Sequence, residues 1–128
     1  MTPTSHTESF IIQTTDCIST LDTTLPDLLG TYILVQWMEI TAAKLINTVL
    51  NTDERLTVGE HVDIHHAGMA RLGETVTITA TLTGHDKKHA RFTIEAYNGN
   101  KRIATAEHTR TIIPRKLLER MMHGHTKS

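Results

Sequence analysis

Two periods of apolar residues divide the chain. From Thr31 to about Leu50, the residues Ile33, Leu34, Trp37, Met38, Leu45, Ile46, Val49 and Leu50 recur in pairs three to four apart, with Ala42 and Ala43 between them. That is the spacing of a long helix burying a broad stripe. Pro26 and Gly30 precede it and Asn51-Thr52-Asp53 follows, which supplies a start and a stop. Only Glu39 and Lys44 carry charge within it, so protein is expected to cover most of its circumference. Beyond the helix the period falls to two. Val58, Glu60, Val62, Ile64 and His66 alternate with Gly59, His61, Asp63 and His65. Val76, Ile78, Ala80 and Leu82 alternate with threonines, and Ala90, Phe92, Ile94 and Ala96 with polar residues. A last strand is predicted from about Arg102 to Ile113, stopped by Pro114. Gly84-His85-Asp86-Lys87 and Asn98-Gly99-Asn100 read as the hairpin turns between these strands.

The remaining segments are shorter. Phe10-Ile11-Ile12 marks a strand within Glu8 to Thr15, and Asp16 to Gly30 reads as a loop with at most one helical turn, the kind of segment that forms a lid or a site wall. Arg115 to Met122 predicts a short terminal helix, with a frayed tail from Gly124. Strand, loop, long helix and a four-strand antiparallel meander make an α+β domain in which one sheet face buries one helix. The expected organisation is a single domain over residues 1–128, with its core at about 8–113 and a helix and tail at 114–128.

Composition narrows the function classes. Thirteen Lys and Arg against 14 Asp and Glu leave a formal net charge of -1, which argues against a dedicated nucleic-acid binder. An apolar content of 38% suffices for a core and excludes a disordered chain. The single cysteine, Cys17, forms no internal disulfide and fits a reducing compartment, so a cytoplasmic location is expected. No run approaches about 18 uninterrupted apolar residues, and Met1 to Thr7 lacks the pattern of a signal peptide, so no membrane association is expected. No Gly-x-Ser-x-Gly, P-loop or dinucleotide-binding glycine pattern occurs. Nine histidines in so short a chain need an account.

Five residues stand out as candidate chemistry. Glu39 is a carboxylate in the middle of an apolar helix, on a face shared with Tyr32, Gln36, Ala43 and Ile46. It is either a solvent-edge residue or an acid or base held in reserve. His66 ends a strand whose inward set is read as Val58, Val62 and Ile64. There it is either a satisfied core histidine or one facing a cleft, and a slip of one position would exchange it with His65. Thr31 opens the helix, where its hydroxyl caps the first turn or faces a ligand beside free N–H groups that can stabilise an oxyanion. Arg110, inward with Ala104, Ala106, His108 and Ile112, needs an anion: a neighbouring carboxylate such as Glu107, or a substrate. Gly59 joins them only through the resemblance below. On the outward face His61, Asp63 and His65 have alternate spacing that permits a metal, but a polar strand face explains them more simply, and no metal site is expected. A core role is expected for His108, and solvent exposure for His6, His85, His89, His123 and His125. Cys17 lacks a basic neighbour in sequence to activate it.

The segments GTYILVQWMEITAAKLI, VGEHVDIHHAGMARLGETVTITATL and RFTIEAYNGNKRIATAEHTRTII, spanning about Thr31 to Ile113, resemble the fluoroacetyl-CoA thioesterase-like family of hot-dog proteins. The specific features are Thr31 eight residues before Glu39, the Val-Gly-x-x-Val-x-x-x-His run ending at His66, and Thr109-Arg110 after a histidine. The resemblance implies a hot-dog fold, an antiparallel sheet wrapped around one helix, and acyl-CoA thioester hydrolysis by Thr31, Glu39 and His66. Gly59 and Arg110 then become substrate contacts near the acyl group. It also implies a homodimer with the pantetheine arm between subunits, pairing into tetramers being left open. No cofactor is implied beyond the CoA of the substrate. Two departures bear on this: Ala67-Gly68-Met69-Ala70 replaces a proline-rich turn after the histidine, and the loop before the helix lacks the aromatic residues associated with the fluorinated substrate. A short-chain acyl-CoA is therefore expected rather than fluoroacetyl-CoA. A hot-dog dehydratase is disfavoured because Asp63 lies only three residues before His66. The rival from another class is a non-catalytic acyl-CoA or small-ligand binding module.

Overall fold

The computed structural model describes residues 4–124. The long helix, α1, runs Thr31–Leu50 as its period predicts. Gly30 is its N-cap, and Asn51 closes it in the left-handed region at φ 49, where asparagine is tolerated, with its N–H donating to the Asn47 carbonyl. By length and composition α1 is, among the described residues, the one helix apolar enough to cross a membrane, although its charged and polar residues interrupt the run. Ile33, Leu34, Trp37, Met38, Thr41, Ala42, Leu45 and Ile46 are buried in the fold, so the apolar stripe is core.

Five strands surround it: β1 (Ser5–Ile11), β2 (Arg55–His66), β3 (Thr75–His85), β4 (His89–Asn98) and β5 (Lys101–Pro114), all antiparallel, in the order β1-β3-β4-β5-β2. A helix α2 (Arg115–Gly124) follows. The meander is therefore three strands rather than four. β2 lies at the far edge beside β5, because residues 67–74 cross the sheet instead of closing a hairpin. The tight turns carry the expected chemistry: Gly99 at φ 61 turns β4 into β5, and Asp86 Oδ1 accepts the N–H groups of Lys88 and His89 between β3 and β4. Gly84 belongs to β3 and not to the turn.

The concave face packs Val76, Ile78, Ala80, Phe92, Ile94, Ala96, Ala104 and Ile112 against α1. Phe10 stacks on Trp37 with centroids 4.7 Å apart, and Lys44 donates to Glu8 at 2.8 Å, which ties β1 to the helix. β1 begins at Ser5, three residues before the expected start at Glu8, because its polar positions pair with the threonine rows of β3; hydroxyl contacts join Thr7 to Thr79 and Ser9 to Thr77. The loop before α1 holds two single 3-10 turns, Thr14–Asp16 and Ile18–Thr20. It is fastened by Leu29 N–H to the Ala70 carbonyl and Leu72 N–H to the Asp27 carbonyl.

The segment after His66 is held without proline. Ala67 and Gly68 both donate their N–H groups to the Ile103 carbonyl, and a Cβ on Gly68 would lie 2.8 Å from Ile103 Cγ2 and 3.1 Å from its Cα. Ile103 is fully buried, so neither its branched side chain nor its backbone can yield freely. Gly68→Ala is expected to cost about 1–3 kcal/mol of stability, read as a lower denaturation midpoint in urea. An unchanged midpoint would show that this turn is looser than the contacts imply.

Candidate active site

A bulge in β2 shapes the site. Gly59 pairs with Arg110 and His61 with Thr109, leaving Glu60 as an extra residue. The extra residue shifts the alternation. Thr57 and Gly59 face inward before the bulge, and Val62, Ile64 and His66 after it, opposite the inward set of β5. Val58, expected inward from simple alternation, is 44% exposed. Glu60 turns its carboxylate to the Thr111 hydroxyl and to His89, at 3.2 Å, so His89 is not simply solvated.

Gly59 faces Glu39 closely. A Cβ built on it would meet Glu39 Oε1 at 2.0 Å and Arg110 Nη1 at 3.6 Å, so the carboxylate occupies the space that any side chain there would take. Arg110 Nη1 donates to Glu39 Oε1 at 3.3 Å. The anion that Arg110 requires is thus Glu39, while Glu107 lies on the outer face. The pair is uneven: the Arg110 side chain is 8% exposed and that of Glu39 40%. Burial pushes the Arg110 pKa down, opposed by the Glu39 charge and hydrogen bond. Thr57 grips the guanidinium twice, with its hydroxyl accepting from Nε at 2.9 Å and its carbonyl from Nη2 at 3.2 Å. Thr57 was not singled out from sequence. Its signal, a position two before Gly59, is hidden while the bulge is unknown.

Thr31 and His66 form a second centre. Thr31 Oγ1 lies 2.8 Å from His66 Nδ1, joining the start of α1 to the end of β2. The hydroxyl therefore does not cap the helix; no side chain does. Ile33 and Leu34 N–H groups go to the Gly30 carbonyl, and those of Thr31 and Tyr32 take no partner among the described residues. They present the positive end of the helix beside the Thr31 hydroxyl. His66 Nε2 is shielded from solvent and unpartnered among the described residues. An unmet buried nitrogen costs about 1–3 kcal/mol, a deficit that a substrate or a catalytic partner relieves.

Glu39 and His66, which the resemblance puts in one reaction, do not meet in one chain. Thr31 and Glu39 are eight residues apart on α1, about 12 Å along its axis. Gly59, beside Glu39, is separated from His66 by about 20 Å of strand. The five candidates fall into two half-sites: Thr31 with His66, and Glu39 with Arg110 and Gly59.

His61, Asp63 and His65 lie outward, Asp63 and His65 lining a depression with Glu95, Thr105 and Glu107. Among the described residues no three His, Cys, Asp or Glu side chains are placed to hold a metal. Cys17 is buried, which raises its thiol pKa, as do Asp27 and Asp16. His125 lies outside the described residues.

Comparison with known proteins places this architecture. A hot-dog-like protein from Thermanaerovibrio acidaminovorans superposes with a TM-score of 0.88 at 19% identity, covering 98% of this chain and 92% of that one. A thioesterase superfamily member from Thermus thermophilus gives 0.88 at 18% identity, with 99% and 95% covered. The fluoroacetyl-CoA thioesterase FlK gives 0.83 at 19% identity, with 97% and 94% covered. At these identities the likeness establishes the hot-dog fold. No curated protein sequence matches significantly. Residues 12–116, most of the chain, match the profile of the FlK family, described as fluoroacetyl-CoA-specific thioesterase. The chain belongs to that family and is a thioester hydrolase built on the hot-dog fold.

Proposed function

We propose that the protein hydrolyses a short-chain acyl-CoA to a carboxylic acid and free CoA, and that Thr31, Glu39 and His66 act together across a homodimer. The observation that carries this reading is the Thr31–His66 hydrogen bond, made through His66 Nδ1, which leaves Nε2 without a partner among the described residues. A threonine hydroxyl on an imidazole whose second nitrogen is uncommitted suits proton transfer. In the proposed reaction Glu39 drives attack on the thioester carbonyl, either through its own oxygen or through a water whose proton it takes. The Thr31 and Tyr32 N–H groups support the resulting oxyanion. The C–S bond then breaks, and the departing thiolate leaves with a proton supplied through His66; where Glu39 has attacked through its own oxygen, water then cleaves the resulting anhydride, releasing the acid and restoring the Glu39 carboxylate.

Reacting groups must approach to about 3–3.5 Å, which one chain does not allow for Glu39 and His66. β2 offers the remedy. It is an edge strand, and antiparallel pairing of two β2 edges about a two-fold axis between residues 59 and 66 sets His66 of one copy opposite Gly59 of the other. Each Glu39 would then meet the Thr31–His66 pair of the second copy, and Gly59 and Arg110 would border the acyl group. The reading needs no metal or redox cofactor, and the lone buried Cys17 suits a cytoplasmic location.

The test is thiol release from acetyl-, propionyl-, butyryl-, hexanoyl-, octanoyl- and fluoroacetyl-CoA. Turnover is expected to be greatest among the shorter unsubstituted acyl groups. Saturable binding of these thioesters with no thiol released would instead make the protein a binding module.

A further inference from the structure

Among the described residues the buried polar or charged side chains are Thr41, His108 and Arg110. Thr41 is accounted for locally, its hydroxyl donating to the Trp37 carbonyl one turn back. His108 and Arg110 are adjacent on the inward face of β5, directly beneath Glu39. Burying an imidazole beside a guanidinium is costly, and an apolar side chain would fill the same space without that cost.

The geometry fixes the state of the imidazole. His108 Nδ1 lies 2.7 Å from the His61 carbonyl, and a carbonyl only accepts, so Nδ1 carries the hydrogen. Arg110 has no acceptor, so its Nη1, 3.3 Å from His108 Nε2, donates to a lone pair there. Both bonds are satisfied together only by the neutral Nδ1–H tautomer. Burial lowers the His108 pKa, as do the Arg110 and His61 charges, against the opposing His61 hydrogen bond and Glu39 charge; the net lowering favours that neutral form. Phe92 stacks on the ring with centroids 5.8 Å apart. His61 is the first paired residue after the bulge, so the imidazole is anchored to the backbone that also sets Gly59.

We infer that His108 is a positioning residue for thioester hydrolysis: braced on the His61 carbonyl, it supports Arg110 Nη1 in the place from which the guanidinium holds Glu39. Thr57 grips one side of the guanidinium, while Nη1 is shared between Glu39 and His108. Without His108, Nη1 keeps its charge but loses the acceptor that aims it. This inference rests on Glu39 acting in the reaction.

The test is a double-mutant cycle with the best acyl-CoA of the panel. His108→Phe, which keeps a flat ring against Phe92 but has no acceptor for Nη1, is expected to lower kcat by about tenfold with a smaller effect on KM. His108→Gln, whose amide oxygen can accept from Nη1, is expected to recover most of that loss. In an Arg110→Met background His108→Phe is expected to cost less than about twofold, because its route to Glu39 is already cut. Equal losses in both backgrounds, or His108→Gln no better than His108→Phe, would overturn the inference. A readout independent of turnover and of any variant's folding is the 1H–15N NMR signature of His108 in the unmodified protein. The Nδ1–H tautomer is expected at neutral pH, and an Nε2–H tautomer or an imidazolium would also overturn it. Failure of the thioesterase reading would appear separately, as no thiol release by the unmodified protein.

Discussion

Glu39→Gln is expected to lower kcat for thioester hydrolysis by at least about a hundredfold while leaving the protein folded, with a melting temperature lowered only by the lost charge opposite Arg110. The two effects separate because of where Glu39 sits. Its side chain is 40% exposed, so the change opens no cavity in the core. The glutamine amide oxygen can still accept from Arg110 Nη1, and Thr57 and His108 continue to hold the buried guanidinium. An amide neither attacks a thioester readily nor takes a proton from water, so the chemistry is lost. Thiol release and thermal unfolding on the same preparations check both halves. A rate near that of the unmodified protein would remove Glu39 from the mechanism.

Gly59→Ala is expected to be nearly as damaging to turnover through a different physical route. The new methyl group would lie 2.0 Å from Glu39 Oε1 and 3.1 Å from its Cδ, so one of them must move. A carboxylate at the end of a flexible side chain moves more easily than paired backbone, and Glu39 is expected to swing off Arg110. A displacement of about 1 Å in a reacting group costs on the order of a hundredfold, so kcat should fall by about that factor with little change in stability. In a Glu39→Gln background the same change should cost little more, since the group it displaces is already inert. Full multiplication of the two losses would mean that Gly59 acts elsewhere. Gly68→Ala is the counterpart: there the obstacle is buried Ile103, its branched side chain and its Cα together, and stability suffers instead.

How legible this was in the sequence depended on whether a feature was local. α1 ends at Thr31 and Leu50 as predicted, because its period, the preceding glycine and the following asparagine are all local signals. The Asn98-Gly99 turn was legible for the same reason. The place of β2 was not: adjacency in sequence suggested a hairpin with β3, whereas a long connection carries the chain to the other edge. The bulge at Glu60 was hidden because strict alternation assumes that none exists, and it reverses which of Val58 and Gly59 faces the helix. Arg110 and His66 stood out as polar residues on apolar strand faces, and Glu39 as a carboxylate in the middle of an apolar helix. Their partners did not, since the Glu39–Arg110 and Thr31–His66 contacts join residues 71 and 35 positions apart. His108 looked like packing from sequence, and only its two hydrogen bonds tie it to the site.

The central claim is that Glu39 of one copy works with Thr31 and His66 of another. Mixed dimers test it most directly. Glu39→Gln and His66→Ala chains, each inactive alone, are co-expressed with different tags, and the heterodimer is isolated through both. If the reaction centre spans two copies, one of its two sites carries both substitutions and the other carries neither, so the heterodimer should recover about half the turnover of the unmodified dimer. If each centre lay within one chain, both sites would be crippled. A verified heterodimer no more active than its parents would contradict the account.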